Sequence, residues 1–388
     1  MKKFGLLPRI ILSIILGLII GSVSPRWVIG ILSTFNGLFT TFLSFIIPLL
    51  IIALVAPGIG ELGKGAGRLL GITAGIAYIS TIFAGTLAYT AGRFVFPKIL
   101  TQSATLTALT SPKGALVKPY FTIGIPPIMD VMAALVLAFI LGLGIASSKE
   151  DVLLRGLKEF SSIIVKVIAK IIVPLLPIYI LGIFANMTFA GQIVSIITMF
   201  AKVIIMVISL QFLLIAIQYT IASIVSKKNP FRLLRNMLPA YVTAIGTQSS
   251  AATIPVVLER TKKNGVKNRI ADFVIPLCAT VHLAGSTVNL TTCSMAVVVM
   301  SGGDISIGRF FPFILMLGVT MVAAPGVPGG AVMAAIGLLK SILLLPENII
   351  SIIVALHLAQ DSFGTACNVT GDGAIAVIVD KISEKVTT

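Results

Sequence analysis

Charged side chains are scarce in this chain: Asp, Glu, Lys and Arg make up 11% of its 388 residues, where a soluble domain carries roughly a quarter. With 57% hydrophobic residues and a mean hydropathy of +1.09, that shortage excludes an ordinary soluble enzyme and implies a polytopic membrane protein. Cysteine is scarce too. Cys278, Cys293 and Cys367 all lie in apolar segments, with no metal-ligand or secreted-framework spacing, so they read as packing residues rather than disulfides. Acidic residues number 13 against 29 basic ones, a net charge of +16. Nucleic acid as a partner would need those cations in one contiguous basic domain. Instead they occupy short segments between apolar runs, as positive-inside topology requires, and nucleic acid is set aside.

The apolar runs are Phe4–Val23, Val28–Ala56, Leu69–Val95, Val131–Ala146, Ile163–Phe184, Ile193–Val225, Phe273–Met300 and Ile349–Val379. Most are long enough to span about 30 Å of hydrocarbon as helices. The run after Lys2 and Lys3 is long for a signal peptide and no small-residue cleavage site closes it, so it reads as a retained first helix. The basic clusters, among them Lys64/Arg68, Lys149/Arg155/Lys158, Lys227/Lys228/Arg232/Arg235 and Lys381/Lys385, then face the cytoplasm of an inner (plasma) membrane, and both termini lie inside. Arg93, Lys98, Lys113 and Lys118 fall in a loop that the same count places outside, against the pattern. Asn186-Met187-Thr188 fits a glycosylation sequon, an accidental match of three residues.

Two segments interrupt this pattern. Asn236–Glu259 centres on Gly246-Thr247-Gln248-Ser249-Ser250-Ala251-Ala252-Thr253-Ile254-Pro255, too broken for one spanning helix, yet flanked on both sides by basic clusters. It reads as a re-entrant hairpin with its hydroxyl-rich tip at membrane depth, where irregular backbone is tolerated inside protein or along a cavity. Ala323-Ala324-Pro325-Gly326-Val327-Pro328-Gly329-Gly330 is a second helix-breaking tip between apolar arms. Two broken hairpins, each followed by a long apolar helix, are the sequence sign of inverted repeats in secondary transporters. Their helix ends would aim N–H groups at an anionic ligand group.

Within the last run, Asp361, Thr365, Asn368 and Asp372 are spaced four, three and four residues apart, so in a helix they share a face. Each aspartate near the middle of a bilayer costs roughly 2.5–3.5 kcal/mol, and such residues line substrate or ion paths. The run before it holds His282, Gly285, Ser286, Thr287, Asn289, Thr291, Thr292 and Cys293. That polar density predicts a locally opened helix whose carbonyls suit a hard cation such as sodium.

Taken together, these residues resemble the dicarboxylate/amino acid:cation symporter family, the glutamate transporter homologues. The resemblance rests on Ser249-Ser250-Ala251-Ala252-Thr253-Ile254-Pro255, Gly285-Ser286-Thr287-Val288-Asn289, Gly326-Val327-Pro328-Gly329 and Asn368-Val369-Thr370-Gly371-Asp372 in the family's order, and covers most of 231–388. It implies an all-α membrane fold of eight transmembrane helices and two re-entrant hairpins, assembled as a homotrimer whose transport domain moves against a scaffold like an elevator. Residues 1–230 would be mainly scaffold, with the third and sixth helices packing in the transport domain. Residues 231–388 would form its core: hairpin 1 at 231–262, the seventh helix at 268–301, hairpin 2 at 308–345 and the eighth helix at 347–384.

The resemblance also implies roles. Asp361 pairs with the substrate amine, Thr365 is a neighbouring hydroxyl ligand, and Asn368 holds the α-carboxylate with backbone near Ser249 and Ser250. The tip Pro325–Gly330, with Val327 and Gly329, gates the site. Asp372, with carbonyls of Gly285, Asn289 and Asn368, forms a sodium site, while Leu290, Ser80 and Thr81 belong beside another. This chain is a divergent, bacterial-type member. Gly364 stands where acidic amino acid carriers have an arginine, and losing that partner costs an acidic side chain about 2–5 kcal/mol if its carboxylate is buried unpaired. Cys293 replaces a threonine of the side-chain pocket. Thr291 replaces a sodium-site aspartate, which weakens that site. His282 and His357 fall on the same two helices, and histidine titrates near neutral pH, making them candidate proton sites.

The expected function is cation-coupled symport of a small neutral or polar amino acid, with sodium as coupling ion, a proton as the alternative, and no other cofactor. A dicarboxylate or acidic amino acid carrier is the runner-up; Asp361 disfavours a substrate without an amine. An intramembrane hydrolase needs a close acid pair or a Ser–His pair with an orienting group. Asp361 and Asp372, eleven residues apart on one helix, lie about 16 Å from one another by helical rise, too far for a dyad. A passive channel also uses hydroxyl-lined irregular backbone. On this reading the chain is a carrier and not an enzyme.

Overall fold

In hydrocarbon a chain must satisfy its N–H and C=O groups within each segment, which drives the apolar runs into helices. The computed structural model describes residues 6–63, 68–100, 117–129, 131–148, 150–191, 193–322, 324 and 329–387, and among these every regular element is helical. The first half consists of α1 (Leu6–Val23), α2 (Arg26–Gly63), α3 (Arg68–Ile99), α4 (Val131–Ser147), α5 (Val152–Val167), α6 (Val173–Phe189) and α7 (Ile193–Ser226), with a π-helical stretch at Ile168–Ile172 joining α5 to α6. Five stretches among the described residues are long and apolar enough to cross a bilayer: Leu69–Ile99, Val152–Phe189, Phe200–Ser226, Asn268–Met300 and Ile349–Ser383. Arg93 and Lys98, expected in a loop, are helical. Both residues lie on α3, and Arg93 Nη1 donates to Tyr89 OH at 2.9 Å. Lys113 lies outside the described residues.

The two broken segments are helical pairs that fold back on themselves. α8 (Pro230–Thr247) and α9 (Ser250–Lys263) pack together over the expected first hairpin. Asn229 caps α8 by accepting from the N–H groups of Phe231 and Arg232, with Pro230 at the first position, where its missing N–H costs nothing. The chain reverses at Gln248, whose φ is 52°, and Ser249 Oγ caps α9 by accepting from Ala252 N at 3.3 Å. α12 (Ile307–Val322) and α13 (Gly330–Ser341) form the second pair. Its residues 325–328, Val327 among them, lie outside the described residues. Gly329 opens α13 with φ at 75°, a conformation in which a side chain would be strained.

The two long C-terminal segments form the buried axis. The first divides into α10 (Asn268–Val281) and α11 (Ala284–Met300), and the second is one helix, α14 (Glu347–Thr387). In the most apolar stretch of Asn268–Met300 94% of residues are buried and in that of Ile349–Ser383 89%, against 28% for Leu69–Ile99. Helices enclosed on all sides are core, so polar groups on α11 and α14 must find partners within the protein. α11 packs against α3, α7 and α14, and α14 against α7, α8 and α10. The helices α1, α2, α4, α5 and α6 pack mainly among themselves, and α1 turns Ile11, Leu12, Ile19 and Val23 outward. The cysteines are free and buried, as packing residues should be. Asn186 is held inside the fold: its Oδ1 accepts from Val117 N at 2.9 Å and its Nδ2 donates to Ser33 Oγ at 2.7 Å.

α1 meets α6 across Gly17 and Gly21. A β-carbon on Gly17 would stand 2.7 Å from Leu181 O and 2.8 Å from Phe184 Cβ, and one on Gly21 2.6 Å from Thr188 Cβ. Small residues four apart let helix backbones approach this closely in membranes. Gly17→Leu is therefore expected to lower stability by about 1–3 kcal/mol, seen as an earlier thermal midpoint of the detergent-purified protein. Gly144→Ala, in open space, should leave the midpoint in place.

Candidate substrate and cation site

α11 begins without a side-chain cap from its own preceding residue, Leu283. α14 supplies one. Asn368 Oδ1 accepts from Gly285 N at 2.7 Å and Ser286 N at 3.3 Å, while its Nδ2 donates to Ser286 Oγ at 3.0 Å. This narrows the expected helix opening. The break is confined to His282 and Leu283, and the chain is regular helix from Ala284, because Asn368 satisfies the first amides and Thr287 N reaches Leu283 O at 2.9 Å. Gly285 permits the contact: a β-carbon there would stand 2.6 Å from Gly364 O and 2.6 Å from Cys367 Cβ. The seam continues at Asn289, whose Nδ2 donates to His357 O at 3.3 Å, and at Cys293, whose Sγ accepts from Gln360 Nε2 at 3.3 Å.

Asp361 is 5% exposed. Its Oδ2 accepts from Gly329 N at 2.8 Å, which ties the start of α13 to the polar face of α14 and gives the carboxylate a charge-assisted bond at a helix N-terminus. On the other side, His357 Nε2 stands 3.2 Å from Asp361 Oδ1, an ion-pair distance without hydrogen-bond alignment, and neither ring nitrogen of this buried histidine has a hydrogen-bond partner. Thr365 is buried one turn further on. Gly364 lies between them. A β-carbon there would make only ordinary contacts, 3.7 Å to Gln211 Nε2 and 3.7 Å to Ser286 Oγ.

Asp372 belongs to a second cluster. Its Oδ1 lies 2.8 Å from His282 Nδ1, and His282 Nε2 lies 3.1 Å from Ser80 Oγ, which accepts from Gln218 Nε2 at 3.0 Å. His282 and Asp372 are 0% and 1% exposed, and Asp372 Oδ2 has no hydrogen-bond partner. Among the described residues no three His, Cys, Asp or Glu side chains are placed to hold a metal ion. A hard cation here would instead draw on one carboxylate with carbonyl and hydroxyl oxygens. Gly285 O already accepts from Gln211 Nε2 at 3.2 Å.

The remaining expected residues divide. Thr81 Oγ1 donates to Ala77 O at 2.9 Å and Ser80 is engaged with His282, while Thr291 Oγ1 is buried without a hydrogen-bond partner. Leu290 is fully buried. Ser249 and Ser250 open α9, which packs on α14. Three glutamines escaped the sequence reading: Gln211, Gln218 and Gln360. The first two are seven residues apart in an otherwise apolar helix, so they share a face, and that spacing was the available signal.

Buried polar atoms without partners concentrate on this seam: Gln211 Oε1, Gln218 Oε1, Thr292 Oγ1, His357 Nδ1, Gln360 Oε1 and Asp372 Oδ2 among them. In a folded interior such atoms are rare and call for a ligand, an ion or water. Removing the cap has a separate consequence. Asn368→Leu would leave the Gly285 and Ser286 amides unpaired at about 1–3 kcal/mol each, so its thermal midpoint should fall well below wild type, and Asn368→Asp, which keeps the acceptor, should fall less.

Comparison with known proteins agrees with this architecture. Residues 6–382 match the model of the sodium:dicarboxylate symporter family. A serine/threonine transporter, SstT, of Streptococcus thermophilus (strain CNRZ 1066) is 26% identical over 98% of this chain and 96% of its own length. The SstT of Streptococcus suis (strain 05ZYH33) is 26% identical over 86% and 94%. Excitatory amino acid transporter 3 of Mus musculus is 33% identical, over 42% of this chain and 31% of its own. The chain is a helical membrane protein and belongs to the sodium:dicarboxylate symporter family.

Proposed function

We propose that this protein is a cation-coupled symporter of a small neutral or polar amino acid of the serine and threonine class. The observation that carries the reading is the polar face of α14, which buries two aspartates while Gly364 offers no charge between them. Asp361 then binds the substrate amine, with Thr365, Ser249, Ser250 and the α13 start at Gly329 around it. Cys293 borders the side-chain pocket. A dicarboxylate would meet Asp361 without an amine and find no arginine at Gly364, so the like charges repel. The relatives named serine/threonine transporters along nearly their whole length support the same choice.

Asn368 is engaged as a cap, so its part in holding the α-carboxylate would run through the Gly285 and Ser286 amides that it positions. The unpartnered Asp372 Oδ2 fits a sodium ion, held with carbonyls of Gly285, Asn289 and Asn368; the ion supplies the positive charge a buried carboxylate lacks. With Ser80 and Thr81 engaged elsewhere, a site around Thr291 and Leu290 is the weaker one. A second reading rests on the two histidines, each beside a stripe aspartate: a proton replaces a sodium ion in the cycle.

The order Ser80, His282, Asp372 is that of a hydrolytic relay. His282 and Asp372 are sealed from solvent, however, and the family is one of transporters. Eight spans, re-entrant tips, cytoplasmic termini and a trimer in which 231–388, with α3 and α7, moves as one body past the scaffold of 1–230 complete the proposal. The packing of α3 and α7 on α11 and α14 supports that division.

Proteoliposome uptake over an amino acid panel tests this directly. Serine or threonine should accumulate under an imposed sodium gradient, and succinate should not compete. Asp361→Ala should reduce uptake to background, and Gly364→Arg should shift preference toward aspartate. Accumulation driven by a proton gradient alone would favour the second reading. Undiminished transport by Asp361→Ala would refute the amine assignment.

A further inference from the structure

Where α7 ends, the chain turns through Lys227, Lys228 and Asn229 into α8, and the base of the first hairpin returns beside it at Lys263, Asn264 and Gly265. Between them lies a cavity of about 480 Å³ whose lining includes Lys227, Lys228, Arg232 and Lys263 and no carboxylate. Acids of the adjoining segments are engaged elsewhere: Glu259 pairs with Arg260 at 2.8 Å, Asp272 with Lys262 at 2.6 Å, and Asp380 Oδ1 accepts from Lys267 N at 3.3 Å.

The walls are built by hydrogen bonds. Lys228 Nζ donates to Asn264 O at 2.7 Å and Gly265 O at 3.3 Å, and Ser223 Oγ donates to Lys228 O at 2.6 Å. Buried Asn264 accepts from Asn236 Nδ2 at 2.8 Å and donates to Leu233 O at 3.1 Å. A β-carbon at Gly265, whose φ is 78°, would stand 2.7 Å from Lys228 Nζ, so the turn and the lysine are fitted to each other. The structure therefore holds four cations around one space, where the N-terminus of α8 meets the C-terminus of α9 and Lys228 already binds the α9 end carbonyls. Lys228 is held by those carbonyls, which leaves Lys227, Arg232 and Lys263 to meet an anion: Arg232 offers a planar fork suited to phosphate oxygens and the two lysines add point charges.

The apolar residues beside the cavity indicate the source of the anion. Phe231 is 81% exposed and Ile224 72%, the first on α8 next to Arg232 and the second in the last turn of α7. Acyl chains would cover them, and basic clusters at helix ends mark the side where anionic headgroups attract cations. We propose that this cavity binds the phosphate group of an anionic membrane lipid, joining the base of the first hairpin to α7.

The test is the thermal midpoint of the full-length protein in neutral detergent, titrated separately with dioctanoyl-phosphatidylglycerol, dioctanoyl-phosphatidylcholine and inorganic phosphate. Phosphatidylglycerol should raise the midpoint saturably and phosphatidylcholine should not. The combined variant Lys227→Gln, Arg232→Gln, Lys263→Gln should need about tenfold more phosphatidylglycerol or beyond, while Arg155→Gln responds as wild type does. Lys227→Gln alone, at an exposed position, should weaken the response in the same direction and serves if the combined variant does not fold. An undiminished response in both cavity variants would overturn the site. Equal responses to the two lipids would overturn the anion, and a response to inorganic phosphate alone would overturn the lipid source.

Discussion

The seam between α11 and α14 depends on one side chain that acts across it. Asn368 takes up two amides that α11 cannot satisfy itself, in a part of the protein where no solvent reaches them. Because helix ends buried without partners are costly, this cap lets a helix begin in the middle of the membrane protein instead of at its surface. The break at His282 and Leu283 is then affordable, and it frees His282 to turn toward Asp372. Gly285 brings the backbones close enough for the cap to reach. The same seam thus decides where the chain is irregular and which polar groups are left facing each other.

Charge follows from that geometry. Two aspartates enter a nearly closed interior, and each meets one histidine; Asp361 also meets a helix N-terminus, while Asp372 Oδ2 has no hydrogen-bond partner. A buried carboxylate is tolerated when something positive accompanies it. In the proposed cycle the amine of an amino acid would supply it for Asp361, and a coupling cation for Asp372. Gly364 places no charge between them, and the proposed preference for a neutral over an acidic side chain rests on that.

Much of this was legible in the sequence because membrane solvation imposes strong periodic constraints. Apolar runs became helices, Gly246–Pro255 and the tip at Gly329 became reversals, and Asp361, Thr365, Asn368 and Asp372 share one helix. Properties set by tertiary contact were not legible. A local helix opening was expected somewhere among the polar residues from His282 to Cys293; its place at His282 and Leu283 was not legible, since it depends on a cap from a segment 83 residues away. Ser80 was expected beside a cation site, and its bond to His282, set by the packing of α3 on α10 and α11, was not legible in the sequence. Arg93 and Lys98 extend α3 rather than forming a loop, because Pro97 in the last turn does not end the helix. Gln211 and Gln218 carried a heptad signal that only the partner helices give meaning.

The most direct measurement is equilibrium binding of radiolabelled L-serine to the purified protein, with and without sodium. Saturable binding displaced by threonine but not by succinate, and lost in Asp361→Asn, is the expected result. Displacement by succinate, or serine binding of wild-type affinity in Asp361→Asn, would contradict an amine-binding aspartate at the centre of the site.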